Sequence, residues 1–479
     1  MAIGARAHIV VIPDSIVSKR ISAVEMARRL RRAGHRVTLL GPGGDYDKID
    51  GSDYVRFDLK LKRPDACIVG KLPLPTLGKL RSWTATYADR HHRRNAIVKA
   101  VDIEAYRELL KELSPDLLLI DIEAHSYIIP AINLQIPIAL FSVFYNLFKS
   151  SEAPPLHTSV IPGRGWRGRR LAISWLWLRF IIWKWLRYQA ESFRYCGVDQ
   201  LSLLKDYARQ SGVRWQDQLD RYQWLIPFVY RRLPMLVLNP VEMEFTSNPP
   251  ASTAYVGPMI CTNRNQLPFL PDQGPIPLEL KSLLETHRRA TRTRRLVYCG
   301  FGSFFGGDDT EFLKKVIAAS AGRKWDMVIG LGARAKPETL GPLPANVTCL
   351  CFAPQMELLS TADAAVIHGG MTTVYECIHH SVPMVVYPFT TNDQHGTAAR
   401  VAKFGLGIVG SRSDDNFTTI RNRIERILDD ETIQKQVVRM GRNLARYDQE
   451  NTVAEVVNQL ISQKGEVTGI NCGHNPSVS

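Results

Sequence analysis

Residues 368–394 read HGGMTTVYECIHHSVPMVVYPFTTNDQ, and this stretch decides the fold. It follows an apolar run at 364–367, contains a predicted helix that carries Glu376, and enters a second apolar run at 383–387. A strand, a glycine-rich turn, a helix, a strand and a polar loop, in that order, allow an α/β protein to hold a phosphate and hydrogen-bond a sugar. A helix that only filled a core would not need paired glycines, two hydroxyls, an acid and an amide in this order.

The rest of the chain repeats the alternation of apolar strands and amphipathic helices. We predict an α/β domain over 1–245, a proline-rich connector over 246–290 and a second α/β domain over 291–445, followed by a helix and a loose tail over 446–479. The length of 479 residues, too great for one ordinary core, supports this division. Further strands are predicted at 8–12, 35–40, 115–121, 136–142, 236–238, 296–302, 325–330 and 348–352, and helices at 22–33, 311–321 and within 419–463.

The composition indicates which compartment and which classes of partner to expect. The net charge is +15 at pH 7, and the basic residues concentrate at 28–32, 91–94, 164–194 and 287–295. Such a charge suits nucleic acid, an anionic membrane surface or phosphorylated substrates. The eight cysteines include no CxxC pair, and the start of the chain shows no secretory signal. We therefore expect a reducing compartment, the cytoplasm.

Residues 164–196 form a basic segment that contains five of the nine tryptophans of the chain, four of them within residues 175–185. Arg179 and Lys184 in its middle argue against a helix that spans a bilayer, because charges are costly in the hydrocarbon core. If the segment is helical, one face carries Leu171, Trp175, Leu178, Ile182 and Trp185. Three interpretations stay open and can overlap: packing into the core of the first domain, an interfacial membrane helix, and the wall of an apolar acceptor pocket.

Three motifs together resemble a known family. FAPQMELL at 352–359, HGGMTTVYECIHHSVP at 368–383 and YPFTTNDQ at 387–394 are similar to the nucleotide-sugar signature of family 1 glycosyltransferases, in particular bacterial members that act on carotenoids, macrolides and other lipophilic aglycones. The resemblance implies an α/β protein of the GT-B fold, with two Rossmann-like domains that face each other across a cleft. It also implies inverting transfer of a hexose from a nucleotide diphosphate sugar, with UDP-glucose expected, to a lipophilic hydroxyl acceptor. No nucleic-acid partner is expected.

The resemblance implies a donor site in the second domain. An aromatic face stacks on the base, a ring N–H and a helix N-terminus meet the diphosphate, an acid accepts the ribose hydroxyls, and an Asp–Gln pair holds the sugar. The corresponding residues are Gly302, Ser303, Phe352, Gln355, His368, Gly370, Thr372, Thr373, Glu376, Asp393 and Gln394.

The acceptor side must supply a general base within hydrogen-bond reach of the acceptor hydroxyl. Members of the family carry a His in the loop after the first strand, but residues 13–20 (PDSIVSKR) contain none, and Ser18 or Lys19 stands at the matching place. Asp121 matches the acid that pairs with that His. We expect the base to be one of three residues, in the order His125, Asp14, Glu123.

Neither a metal nor a resident cofactor is expected, the nucleotide sugar being a co-substrate. Asp45 and Asp47 form a DxD motif, which metal-dependent transferases of another fold use, but they lie in a loop typical of a turn. Helix dipoles and side-chain donors can stabilise the charge of a leaving diphosphate.

Two alternative functions remain open. A nucleotide-sugar epimerase of similar architecture would need no apolar pocket, so the segment 164–196 argues against it. A non-catalytic subunit that binds sugar nucleotides would explain the missing His. A nicotinamide dehydrogenase is disfavoured, because neither half shows GxGxxG after its first strand.

Overall fold

The computed structural model describes residues 6–42, 53–59, 61, 80–246, 249–264, 267, 269–270, 276–289, 291, 293–302, 310–332, 337–389 and 393–463. The DxD motif, Ser303, most of the polar loop before Asp393 and the tail after residue 463 lie outside these ranges.

The first half of the chain forms a parallel α/β domain. Its strands are β1 (His8–Ile12), β2 (Arg36–Gly41), β3 (Asp53–Arg56), β4 (Leu117–Asp121), β5 (Ile138–Ser142), β6 (Leu219–Asp220), β7 (Val229–Tyr230), β8 (Met235–Val237) and β9 (Thr253–Tyr255). Its helices are α1 (Val17–Arg32), α2 (Leu80–Ala88), α3 (Arg90–Lys99), α4 (Ile103–Leu113), α5 (His125–Ala131), α6 (Arg170–Arg194), α7 (Gln200–Gln210) and α8 (Trp215–Gln218), with a 3-10 turn at Val241–Met243. Seven strands form a sheet in the order β3-β2-β1-β4-β5-β8-β9, and β6 pairs separately with β7.

The second half forms a similar domain. Its strands are β10 (Arg295–Gly300), β11 (Trp325–Gly330), β12 (Val347–Leu350), β13 (Ala364–Ile367), β14 (Met384–Val386) and β15 (Gly407–Val409), in the parallel order β12-β11-β10-β13-β14-β15. The helices of this half are α9 (Leu278–Arg288), α10 (Thr310–Ser320), α11 (Gln355–Leu359), α12 (Met371–His379), α13 (Gln394–Lys403), α14 (Phe417–Asp429), α15 (Glu431–Gln449) and α16 (Thr452–Ser462), with a 3-10 turn at Pro337–Leu340.

The strand composition explains these sheets. β4 and β13 read LLLID and AAVI and are buried along their whole length, as expected for strands covered by helices on both faces. In each sheet the strand order reverses once, between β1 and β4 and between β10 and β13. Ligands of such sheets bind where the order reverses, beyond the carboxyl ends of the strands. The loops after these four strands are therefore where a site is expected.

The domain limits differ from the predicted ones at two places. β9 extends the first sheet beyond residue 245, and the second predicted limit, at residue 445, falls inside α15. The helix α16 packs against the first domain: Val453, Val457 and Leu460 share an apolar cluster with residues of β1 and α1. The chain thus crosses twice between the domains.

A buried polar network joins the two domains. Tyr375 of α12 donates its hydroxyl to Asn239 Oδ1 at 2.8 Å and lies 2.5 Å from the hydroxyl of Tyr145. Arg400 of α13 forms an ion pair with Glu244 at 2.7 Å, and both side chains are only 1% exposed. Separation of the domains would leave the buried charges of Arg400 and Glu244 unpaired, which is costly. These contacts therefore hold the two domains together on one side of the cleft.

Candidate active site

A cavity of about 1700 Å³ lies between the two domains. Pockets for one small ligand typically measure about 300–1,000 Å³, so this cavity has room for two ligands side by side. Its lining comes from the loops at both strand-order reversals and from α6. The described lining includes ten of the fifteen predicted site residues: Glu123, Gly302, Phe352, Gln355, His368, Gly370, Thr372, Thr373, Asp393 and Gln394.

His368 lies at the end of β13, packed between two glycines. A Cβ at Gly302, where φ is +69°, would lie 2.8 Å from the ring, and a Cβ at Gly370 would lie 2.5 Å from Nε2. Only glycine lets both turns approach the ring this closely. Burial lowers the pKa of His368 to about 4, so at neutral pH the ring is uncharged and carries one N–H donor.

The helix α12 begins directly after Gly370, at the cavity wall. Its first turn contains no acidic residue, and Thr372 and Thr373 line the cavity there. The free N–H groups and the positive dipole end of this turn favour an anion. Together with His368, the turn can bind a diphosphate.

Glu376, one turn further along α12, is fully buried and already has two partners. Arg264 Nη1 lies 2.6 Å from Oε1, and Gln355 donates a short hydrogen bond to Oε2. Gln355 in turn accepts from the Tyr298 hydroxyl at 3.0 Å. The sequence did not indicate Arg264, which lies in the connector and lines the cavity.

The residues predicted to stack on the base and to hold the sugar also line the cavity. Phe352 lines the cavity beside Gln355. The guanidinium of Arg412, which also lines the cavity, lies 4.0 Å from the ring centroid of Phe389, which is a cation–π contact that the sequence did not suggest. Gln394 Oε1 accepts the backbone N–H of Phe389 at 2.8 Å, which leaves the amide nitrogen as a donor.

Lys19, one of the two residues that match the place of the missing His, lies among three carboxylates of the first domain. Its ammonium lies 3.0 Å from Asp121, 3.4 Å from Asp14 and in short contact with Glu123. Burial disfavours its charge, but Asp121, Glu123 and Asp14 outweigh burial and hold its pKa above the ordinary value. Lys19 is therefore protonated at neutral pH. Oxygens of the three carboxylates lie within 4.8 Å of one another, a spacing also seen at metal sites.

Burial raises the pKa of two aspartates of the site, one in each domain. The pKa of Asp121 rises to about 6, with Lys19 acting in the opposite direction. Burial also raises the pKa of Asp393 to about 6, and the charge of Glu123 contributes to the increase. Since Glu123 and Asp393 both line the cavity, the predicted acceptor and sugar residues face the same space.

His125, the first choice for the base, lies in the core of the first domain. Its Nδ1 lies 3.0 Å from the Tyr230 hydroxyl, and its ring packs 4.6 Å from that of Phe228. Burial lowers its pKa to about 3. Neither His125 nor Asp14 is part of the described cavity lining, whereas Glu123 is.

The helix α6 presents three different faces. One face packs on the first domain through Ile173, Trp177, Phe180 and Lys184. A flank lines the cavity with Leu176, Arg179, Phe180, Trp183 and Arg187. The predicted apolar stripe is exposed, with Leu171, Trp175 and Trp185 at 86%, 56% and 58%. One face of α6 thus packs into the core, but the predicted stripe does not. Among the described residues, no helix has the length and apolarity needed to cross a membrane.

Lys184 explains why a charge occurs on the packed face. Its ammonium donates to the carbonyl oxygens of Arg221 at 3.4 Å and Gln223 at 3.0 Å and, in a short contact, of Leu225. These bonds fix the loop that places Trp224 in the cavity wall, edge-on to Phe144. The part of the cavity next to α6 is accordingly aromatic.

Comparison with known proteins gives a family match in the second half of the chain. Residues 314–462 match the family model described as Erythromycin biosynthesis protein CIII-like, C-terminal domain. The NDP-glycosyltransferase YjiC of Bacillus subtilis is 31% identical over 134 residues, which are 28% of this chain and 34% of that protein. The Sterol 3-beta-glucosyltransferase of Vanderwaltozyma polyspora is 24% identical over 92% of this chain and 33% of its own length. The matches thus span only about a third of either relative.

A solved structure extends the likeness to the whole fold. The calicheamicin glycosyltransferase CalG4 superposes with a TM-score of 0.61 at 20% identity, over 96% of this chain and all of that one. The GT-B fold, with two parallel α/β domains facing a cleft, is therefore confirmed. The predicted resemblance to family 1 glycosyltransferases is confirmed by the family model and the relatives together.

Proposed function

We propose that this protein transfers a hexose from a nucleotide diphosphate sugar, UDP-glucose, to a hydroxyl group of a lipophilic acceptor, with inversion at the anomeric carbon. The observation that carries the proposal is the shared cavity, in which the phosphate-binding turn of one domain faces Glu123 of the other. The nucleotide sugar is a co-substrate, and the proposal involves no resident cofactor and no metal.

The donor binds to the second domain. Phe352 stacks on the base, and Glu376 accepts the ribose hydroxyls once Arg264 has moved from its carboxylate. His368 and the N-terminal turn of α12 bind the diphosphate. Asp393 and Gln394 hold the hydroxyls of the sugar. The relatives include a protein named an NDP-glycosyltransferase, which supports a nucleotide diphosphate donor.

Glu123 is the general base of this proposal. Its carboxylate takes the proton of the acceptor hydroxyl while the acceptor oxygen bonds to the anomeric carbon and the bond from that carbon to the diphosphate breaks. The negative charge that develops on the diphosphate is stabilised by the helix N-terminus and the N–H of His368. Lys19 positions Glu123 and, as a protonated ammonium, cannot itself accept the proton.

The acceptor binds beside α6, against Phe144, Phe180, Trp183 and Trp224. These aromatic walls suit a flat or branched apolar alcohol, and a relative is named a sterol glucosyltransferase. Peripheral membrane contact through 164–196, on the inner face of the cell membrane with the protein in the cytoplasm, is part of the same proposal. An epimerase is the weaker candidate, because it would leave these walls without a ligand. A non-catalytic subunit would leave Glu123 without a role.

Incubation of the protein with radiolabelled UDP-glucose and a panel of lipophilic alcohols tests the proposal. We expect label in an acceptor product of inverted anomeric configuration, measured by chromatography and NMR. Donor binding without transfer or hydrolysis across the panel would favour the binding subunit. Failure to bind any sugar nucleotide would overturn the proposal.

A further inference from the structure

The exposed face of α6 is the largest apolar feature of the described surface that the fold does not explain. Six of the twelve exposed large hydrophobic side chains of the described residues lie on it: Leu171, Trp175, Leu178, Ile182, Trp185 and Leu186. They are spaced at helical intervals and form one stripe along about four turns, opposite the face that packs on the protein. A contiguous exposed patch of this kind marks an interaction surface.

Positive charge surrounds this stripe. Arg164, Arg167, Arg169, Arg170, Arg179, Arg187 and Arg194 are all exposed on α6 or immediately before it. Two acids accompany them, and both are paired: Glu191 with Arg187 at 2.8 Å and Glu152 with Arg170 at 3.0 Å. Tryptophans next to arginines are typical of the membrane–water interface, where the rings lie at headgroup depth. The charge pattern fits phosphate headgroups and argues against a second copy of the same surface.

The flank of the same helix lines the cavity. Trp183 and Arg187 lie between the exposed stripe and the cavity, and the Arg187 guanidinium lies 5.5 Å from the ring centroid of Trp183. If the stripe is buried in a bilayer, this flank places the aromatic part of the cavity next to the headgroups. An apolar alcohol in the bilayer would then reach the cavity without crossing water.

We propose that α6 lies in the plane of an anionic membrane, with its Leu/Trp stripe among the acyl chains. The acceptor is a membrane-resident amphiphile that enters the cavity past Trp183. This inference rests on the proposed function for the acceptor, whereas the docking of α6 does not depend on it. Arg179 and Lys184 agree with this orientation, because neither belongs to the stripe and Lys184 is bonded to carbonyl oxygens inside the protein.

The test compares the protein with a variant that carries Trp175→Ser, Leu178→Ser and Trp185→Ser, none of which lines the cavity. The matched control carries Leu278→Ser and Phe417→Ser, two exposed hydrophobics far from α6 in the chain. Flotation is measured with vesicles of phosphatidylcholine alone and of phosphatidylcholine with phosphatidylglycerol. We expect the protein and the control to float with the anionic vesicles at low salt, and the triple variant to lose roughly ten-fold or more in affinity.

Transfer from UDP-glucose is measured in parallel to cholesterol in vesicles and to the water-soluble phenol 4-methylumbelliferone. In the triple variant we expect transfer to cholesterol to fall by a similar factor, while transfer to the phenol and UDP affinity stay unchanged. The inference would be overturned if the unaltered protein did not float, or if the triple variant bound the vesicles as tightly as the unaltered protein. It would also be overturned if the triple variant lost transfer to both acceptors equally, or if the unaltered protein transferred glucose to the phenol alone. Flotation without transfer to either acceptor and without UDP binding would instead overturn the proposed function and leave the docking of α6 intact.

Discussion

Arg264 Nη1 lies 2.6 Å from Glu376 Oε1, so an arginine of the connector engages the carboxylate that the donor ribose is expected to use. Glu376 is fully buried, and the Arg264 side chain is half-buried. The pair keeps a buried negative charge compensated when no nucleotide is bound. If Glu376 binds the ribose as proposed, the ribose hydroxyls exchange with Arg264 as donors to its carboxylate.

Replacement of Arg264 tests this exchange. We expect Arg264→Met to lower the free energy of unfolding of the ligand-free protein by about 3 kcal/mol, because it removes the ion-pair partner of the buried Glu376 and leaves the carboxylate with Gln355. Saturating UDP should recover part of the loss, since the ribose hydroxyls supply new donors. Urea unfolding with and without UDP measures both effects.

The control Arg209→Met removes an exposed partner of Asp206 and should lower the free energy of unfolding by less than about 1 kcal/mol. Equal losses in the two variants would contradict the assignment.

Glu376→Gln tests the ribose contact itself. We expect UDP binding to weaken by ~1–3 kcal/mol, the cost of losing a buried hydrogen-bonding partner. Gln is preferable to Ala here because it keeps the side-chain volume beside Arg264. Titration calorimetry measures the affinity, with Glu431→Gln, on the exposed surface of α15, as the control. Unchanged affinity would remove Glu376 from the ribose site.

Glu123→Gln tests the general base. We expect the transfer rate to fall by about 10²–10⁴-fold, because the amide cannot accept the acceptor proton, while UDP affinity stays unchanged. His125→Phe is the matched comparison, since that ring lies against Phe228 in the core. It should lower the free energy of unfolding and leave the turnover of the folded enzyme near normal. A large loss of turnover in His125→Phe alone would return the base to His125.

Asp121 gives a pH dependence of stability with a defined sign. Burial raises its pKa from 3.8 to about 6, so between these values the folded protein holds a proton that the unfolded chain has released. Its contribution to the free energy of unfolding therefore falls as pH rises through this window, by up to about 3 kcal/mol. Buried histidines act oppositely: the pKa of His125 is lowered to about 3, so its contribution is lost as pH falls below 6.5.

The difference between the unaltered protein and Asp121→Asn separates these effects, because the histidines are common to both. We expect this difference in unfolding free energy to decrease from about pH 4 to about pH 6 and to level off above. Urea denaturation at several pH values measures it. A difference that does not change over this range would contradict the raised pKa.

The strands and the glycine-rich turn around His368 were predictable because each depends on local chemistry. The predicted limits of β1, β11 and β13 agree with the structure, since each is a short apolar run that a proline, a glycine or a polar residue ends. The glycines around His368 were recognisable because no other residue allows such close turns.

The features that could not be predicted depend on contacts between distant parts of the chain. Arg264 lies 112 residues before Glu376, in a segment whose composition indicates only turns. His125 follows Asp121 closely in sequence, yet α5 directs its ring into the core, because Phe228 and Tyr230 of a later loop and strand enclose it. Spacing within one segment cannot predict which later segment will cover a side chain.

The position of α16 has a consequence for synthesis on the ribosome. Residues 452–462 complete an apolar cluster that also contains Ile9 and Val11, which are made long before them. The first domain therefore emerges from the ribosome with part of its core uncovered, and it stays so until residues 452–462 have been translated. Until then the growing chain exposes an apolar surface that chaperones can bind. The first domain cannot complete its core before the second domain has been made.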